Sequence, residues 1–232
     1  MLSIKEKYKI DNVIEKLING KDSQFLDMKL YKHIVPILNK RKVKYQVFKM
    51  FEDASSYVLY VDNPNVIIFK IISKVKLAHK EILGSMFGIG LDIESFGDII
   101  ASDDAYIVVK RNMSDFVISN LTMIGNSKIE LLEVDVSEVS EFTPSYEEIN
   151  INTSSLRIDS VISKITNLKR EDVANKIKEK DILVNSEIIT NNSYILKDGD
   201  IISVRYFGKY IFMGIDNVTK KGKYIVTLKK YI

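Results

Sequence analysis

The sequence predicts an α+β protein, and three observations carry the prediction. Hydrophobic periodicity is helical at the start of the chain, becomes strand-like from residue 45, and turns helical again after residue 154. Between residues 66 and 134 the expected elements follow one another as βαββαβ. Charge is unevenly spread: residues 1–153 hold 19 Lys+Arg against 22 Asp+Glu, whereas residues 154–232 hold 15 against 9, in a chain of net charge +3. A step of that kind marks a domain boundary. Four segments are expected: an N-terminal helical and β segment over 1–63, a middle domain over 64–136, an acidic linker over 137–153, and a basic C-terminal domain over 154–232 with two helices on a small sheet.

The first helix is expected over 3–20. Ser3 and Glu6 make a capping box, Ile4, Tyr8, Val13, Ile14, Leu17 and Ile18 make the apolar stripe, and Gly20 is the stop. A second helix over 27–40 buries Leu30, Ile34, Ile37 and Leu38, and Pro36 is expected to kink or interrupt it. His33 shares that apolar face and reads as a packed or hydrogen-bonded histidine, because no Ser, Asp or second His accompanies it at useful spacing. The same reading applies to His79.

Strands follow at 45–50, 57–61 and 66–72, with Asn63-Pro64-Asn65 as a turn. A helix over 78–87, strands at 97–101 and 105–110, a helix over 114–123 and a strand at 128–134 complete the ferredoxin-like order, which is also RRM-like. Enzymes and binding modules share that order, so it does not confer a function. Gly88-Ile89-Gly90 follows a helix, whereas phosphate fingerprints follow a strand, so it reads as a helix end and turn.

Residues 128–153 hold one Lys and seven acids, and 137–153 shows no clear period, which gives the linker. Ser154-Ser155 then introduces a helix burying Ile158, Val161, Ile162 and Ile165, and a second helix over 169–180 buries Val173, Ala174 and Ile177. Short strands are expected at 182–185, 187–190, 201–205, 210–213 and 224–228, with turns at Asn191-Asn192, Asp198-Gly199 and Lys221-Gly222.

Several classes are set aside by composition. No cysteine is present, so disulfides and thiolate metal sites are excluded, and two separated histidines offer little for zinc; no metal and no cofactor is expected. No apolar run approaches the roughly 18 residues of a membrane span. Neither a signal peptide nor an anchor is visible, and a cytoplasmic location is expected.

The basic end carries the chemistry. Arg157 is expected in the first turn of its helix, where the macrodipole mildly disfavours a cation and Asp159 is well placed. With the N–H groups of the helix start and the hydroxyls of Ser154 and Ser155 it would make a phosphate site; the alternative is a solvated arginine or one paired with Asp159. Lys169, Lys176 and Lys180 are spaced to share one face of the second helix, with Arg170 beside them. Glu171, Asp172 and Glu179 leave a merely salt-bridged helix as the alternative. Arg205, Tyr206, Phe207, Lys209 and Tyr210 set cations beside stacking surfaces, and Lys220, Lys221 and Lys223 form the better exposed turn. Asp98 and Asp103 are the acids an enzyme would use, although lone acids near turns are usually solvated or capping.

Two stretches carry a resemblance. Ser155-Leu156-Arg157-Ile158-Asp159, Lys169-Arg170, Val184-Asn185 and the run from Asp198 to Val204 resemble, in order and spacing, the S-four domain, the alpha-L RNA-binding motif. That resemblance implies RNA-backbone contacts at Arg157, Lys169, Arg170, Lys176 and Lys178. Ser155, Lys180, Arg205, Lys209, Lys220, Lys221 and Lys223 complete the expected RNA-binding set. The chain departs from the pattern at Lys169, where Ser or Thr is commoner, and at Lys180, where Gly often precedes the strand.

Upstream, His79 to Gly84, Gly88-Ile89-Gly90 and Gly97-Asp98-Ile99-Ile100 resemble the middle domain of the YlmH family, with weaker matches at Phe25-Leu26, Glu52-Asp53-Ala54 and residues 205–209. Ser55-Ser56 departs from it, where another charge is usual. This resemblance implies a bacterial, non-catalytic RNA-binding protein. It would bind, as a monomer, ribosomal RNA and tRNA on the large ribosomal subunit carrying peptidyl-tRNA, in ribosome-associated quality control. One alternative is an RNA-modifying enzyme, a pseudouridine synthase or methyltransferase, using the S-four domain to hold substrate. Another is an adaptor whose acidic 128–153 segment binds a basic protein.

Overall fold

The computed structural model describes residues 2–231. They fall into two units, Met1–Thr143 and Pro144–Ile232. No helix among the described residues is long and apolar enough to cross a membrane.

In the first unit, α1 (Ile4–Ile18) starts at the capping box: the Glu6 N–H donates to Ser3 Oγ at 3.2 Å and the Ser3 N–H donates to Glu6 Oε2 at 2.6 Å. Lys29 in α2 (Met28–Arg41) donates to the same carboxylate at 2.8 Å. The Lys29 hydrogen bond, followed by that from Ser3, holds the Glu6 carboxyl down at about 2. α2 runs through Pro36 to Arg41, so the proline does not interrupt it. Ile34 and Leu38 flank it and are fully buried beside Ile14 and Leu17 of α1, and that burial offsets the roughly 3 kcal/mol a helix proline costs. Three short strands, β1 (Leu26–Asp27), β2 (Gln46–Phe48) and β3 (Ser56–Tyr60), form an antiparallel sheet in the order β1-β3-β2.

The rest of this unit alternates as expected: β4 (Val66–Ser73), α3 (His79–Gly88), β5 (Phe96–Ala101), β6 (Ala105–Lys110), α4 (Ser114–Asn120), β7 (Met123–Ile124) and β8 (Ser127–Val134). The strands pair antiparallel in the order β5-β6-β4-β8-β7. With the two-residue β7 set aside, that is the ferredoxin-like sheet. Period-2 alternation sorts the strands into two faces. Ile67, Phe69, Ile71, Ile107 and Val109 pack with Ile82 and Met86 of α3 and Val117 of α4.

The opposite face is the one on which an RNA-recognition sheet stacks bases. Here it is covered. Val66, Ile68, Ile100, Tyr106 and Val108 form one buried cluster with Phe25, Phe48, Met50, Phe51, Ala54 and Val58 from the N-terminal segment. Asp98 fastens the cover to β5, its carboxylate accepting from the Ser55 N–H and Oγ at 3.0 and 2.8 Å and from the Ser56 N–H at 2.8 Å. At Gly97 a Cβ would stand 2.5 Å from the Phe25 ring, so the glycine admits the cover.

The segment expected to be an acidic linker is structured at both ends. α5 (Ser137–Ser140) buries Val139 in the first unit, and β9 (Tyr146–Thr153) is an edge strand of the second. Ile149, Ile151 and Thr153 carry a strand period that the intervening acids obscure. Glu147 and Glu148 stand in register with Lys230 and Lys229 of β14 (Tyr224–Tyr231), so cross-strand charge complementarity accounts for the acids there.

The second unit places α6 (Ile158–Thr166) and α7 (Arg170–Lys178) on a six-stranded sheet. Its order is β11-β10-β12-β13-β14-β9, with β10 (Ile182–Val184), β11 (Glu187–Ile188), β12 (Ile201–Val204) and β13 (Gly208–Val218). One core joins Ile158, Val161, Ile162, Val173 and Ile177 of the helices to Val204, Phe212, Val226 and Leu228 of the strands.

Candidate nucleic-acid interface

The first expected anchor is differently built from the sequence reading. α6 begins at Ile158, so Arg157 is its N-cap rather than a first-turn residue. An isolated bridge pairs Arg157 with Ile195, and the Ile158 N–H donates to the Tyr194 carbonyl at 2.8 Å. The Ser160 and Val161 N–H groups both reach the Arg157 carbonyl, and Ile158, Asp159 and Ser160 are buried. The helix start therefore does not offer the open row of donors that a phosphate would need. Ser155 Oγ accepts the Arg157 N–H at 3.2 Å. The Arg157 guanidinium grips Asp159 with two bonds, Nε to Oδ1 at 3.1 Å and Nη2 to Oδ2 at 2.9 Å, which push its pKa up. The pairing alternative describes this arginine.

Lys169 is the N-cap of α7 and Arg170 its first residue, both exposed. Lys178 ends the helix and Lys180 lies beyond it, also exposed. Lys180 therefore does not extend a helical stripe with Lys169 and Lys176. Its φ is +64°, the left-handed conformation that usually calls for glycine, and the shift of direction starts β10. None of these four cations reaches a carboxylate within 4.0 Å among the described residues.

Lys176 is different. Its side chain is only 18% exposed, and Nζ stands 3.2 Å from Asp181 Oδ2. Arg205, just past β12, meets the other oxygen of that carboxylate at 3.2 Å, and its N–H donates to the Asp181 carbonyl at 2.9 Å. Burial alone would raise the Asp181 carboxyl; the hydrogen bonds from Lys176 and Arg205 outweigh it and hold the group below the usual carboxylate range. The end of α7, the turn into β10 and the turn out of β12 are thus tied by one carboxylate. Nothing in the spacing of Lys176, Asp181 and Arg205 announced that junction.

Lys209 sits 4.9 Å over the Tyr231 ring. Lys220, Lys221 and Lys223 are exposed in the turn between β13 and β14, closed by the Thr219 N–H to the Lys223 carbonyl at 2.7 Å. Arg205 and this turn lie at opposite ends of β13, whose 11 residues span on the order of 30 Å. Arg157 caps the start of the nine-residue α6, and Lys169 lies past its other end, at the start of α7. The expected set therefore resolves into cations distributed around α6 and α7 and a separate hairpin tip.

The acids considered for catalysis have other employment: Asp98 fastens Ser55 and Ser56, and Asp103 pairs with Lys76 at 3.1 Å. His33 Nδ1 lies 2.8 Å from the Lys29 carbonyl, a bond within its own helix. Gly88 ends α3, and Gly90 takes φ +92° in the following turn. Among the described residues no group of three or more His, Cys, Asp or Glu side chains is placed to hold a metal ion.

Residues 66–138 match the family model described as "Putative RNA-binding domain in YlmH". Over 157 residues, 67% of this chain, the sequence is 32% identical to the Bacillus subtilis "Ribosome-associated protein quality control protein P2", and that match spans 61% of the relative's length. The solved structure of "Cell division protein ylmH from Streptococcus pneumoniae" superposes with a TM-score of 0.51 at 16% identity, covering 61% of this chain and 98% of that one, and shares its fold.

Proposed function

We propose that this protein, which is similar to the YlmH family, is a non-catalytic RNA-binding protein that acts on the ribosome. Its partners are ribosomal RNA and tRNA on the large subunit carrying peptidyl-tRNA, which it meets in the cytoplasm, as a monomer, in ribosome-associated quality control. Residues 154–232 supply an S-four-type RNA-binding domain. One observation carries the reading: Lys169, Arg170, Lys178 and Lys180 stand exposed around one short helix with no carboxylate within 4.0 Å among the described residues. Unpaired cations so placed neutralise backbone phosphates, and such contacts position a protein without reading sequence. The homologue's ribosomal association supports the choice of partner.

Co-sedimentation with large ribosomal subunits bearing peptidyl-tRNA tests the proposal. With four phosphate contacts, affinity should fall about a hundredfold between 50 and 200 mM salt. The pair Lys169→Glu and Arg170→Glu should abolish co-sedimentation at moderate salt. Unchanged co-sedimentation of the pair, or binding indifferent to salt, would remove this surface from the account.

A further inference from the structure

The turn between β12 and β13 carries a side chain that neither the core nor the turn requires. Tyr206 is 82% exposed, while its neighbours Phe207 and Tyr210 both pack into the core. Its backbone takes φ +70°, a left-handed conformation in which a tyrosine is disfavoured and Gly or Asn is the usual occupant. A bulky ring therefore stands in water at a position where a smaller residue would fold better.

Its surroundings are equally specific. The Arg205 guanidinium carbon lies 5.0 Å from the ring centroid and Lys176 Nζ lies 5.6 Å from it. Both cations are held by the same buried carboxylate, Asp181, at 3.2 Å each. They are fixed beside the ring before any ligand arrives, so little ordering is left to offset the gain on binding.

We propose that Tyr206 is a stacking platform for one unpaired nucleobase, with Arg205, whose Nη1 alone meets Asp181, donating from the rest of its exposed guanidinium to the phosphate of the same nucleotide, and Lys176 holding that carboxylate in place. The proposal rests on the RNA-binding reading above and adds to it a contact that duplex backbone cannot supply. A nucleotide is the ligand that brings both halves, a flat base for the ring and an anionic phosphate for the guanidinium. An acidic peptide brings charge without an obligatory ring.

The test uses the full chain and two RNA probes, a hairpin with one unpaired adenosine and the same stem fully paired. Tyr206→Gly removes the ring and suits the left-handed backbone, so it should melt no lower than the wild type. It should lose about tenfold to a hundredfold in affinity for the unpaired probe and less than about twofold for the paired one. The chain has no tryptophan, so Tyr206→Trp gives a single emitter at the platform, whose fluorescence should be quenched by the unpaired probe and barely changed by the paired one. Equal losses on both probes, no loss on either, or a tryptophan that responds only to an acidic peptide would overturn the platform while leaving RNA binding standing. Failure of the wild-type chain to bind either RNA would overturn both.

Discussion

The five-stranded sheet of the first unit and the two helices of the second differ in how they use their charges. On and around the first, three cations are spent inside the unit, Lys70 on Asp104 at 3.0 Å, Lys110 near Asp22 at 3.6 Å and on the Ser23 carbonyl at 2.9 Å, and Arg111 on Glu133 at 3.5 Å, while Lys74, Lys80 and Lys128 stay exposed. Burial pushes the Lys110 ammonium below its ordinary range. On the second, Lys169, Arg170, Lys178 and Lys180 are left to solvent, and the two cations that are paired hold a turn together. One face of the βαββαβ sheet is covered by the N-terminal segment, whereas the cations around α7 are open to solvent. An ion pair within the chain and a phosphate contact compete for the same cation, which is why pairing is informative.

The largest effect should come from breaking the covered face. Ile68→Asp places a carboxylate in the cluster shared with Phe48 and Met50. It should cost about 4 kcal/mol or more and unfold the first unit in a thermal melt followed by circular dichroism. A folded variant altered only in RNA binding would show that the face is an open platform and reverse the comparison.

Next comes the charge itself. Replacing Lys169, Arg170 and Lys178 by Ala should lower RNA affinity on the order of a hundredfold and reduce the salt slope by roughly three, one for each phosphate contact. Replacing Lys74, Lys80 and Lys128, exposed cations of the first unit, should change the slope by less than about one. Titrations at several salt concentrations read both, and equal slopes for the two triples would erase the contrast.

A smaller effect separates charge from backbone. Lys180→Gly relieves a φ of +64° and should stabilise the second unit by about 1 kcal/mol in denaturant melts, while RNA affinity falls. A variant that is both more stable and weaker in binding would fit a cation kept for contact at a structural cost. Loss of stability would mean that the lysine's packing matters more.

The smallest effect is a pH dependence in the first unit. The Glu6 carboxyl is lowered from 4.5 to about 2, so its contribution is fully present above pH 4.5 and is lost as pH falls toward 2. Lys29→Met removes the first-ranked cause and should move the Glu6 titration, followed by carboxyl NMR, back toward the ordinary range. A midpoint left at about 2 would assign the shift to Ser3 alone.

Much of the fold was legible. Capping at Ser3 and Glu6, the βαββαβ order and the two C-terminal helices are local patterns of period 3.6 or 2, which the chain carries residue by residue. The covered face left a trace as well. Residues 66–72 read Val-Ile-Ile-Phe-Lys-Ile-Ile, apolar at odd and even positions, as a strand buried on both faces does. The linker misled because Glu147 and Glu148 raise polarity where Ile149, Ile151 and Thr153 set the period, and the lysines that answer those acids lie some 80 residues later in β14.

For the candidate interface, the sequence alone determined which end of the chain is basic and that Lys169 and Arg170 open a helix, because charge and capping are local. Tertiary structure decided which cations are available. Arg157 is taken by Asp159 two residues away, and Lys176 by an Asp181 that also draws in Arg205, 24 residues further on. Whether a charge is spent or free depends on what folding brings within a few ångströms of it, and Coulomb attraction falls with distance in space whatever the separation along the chain.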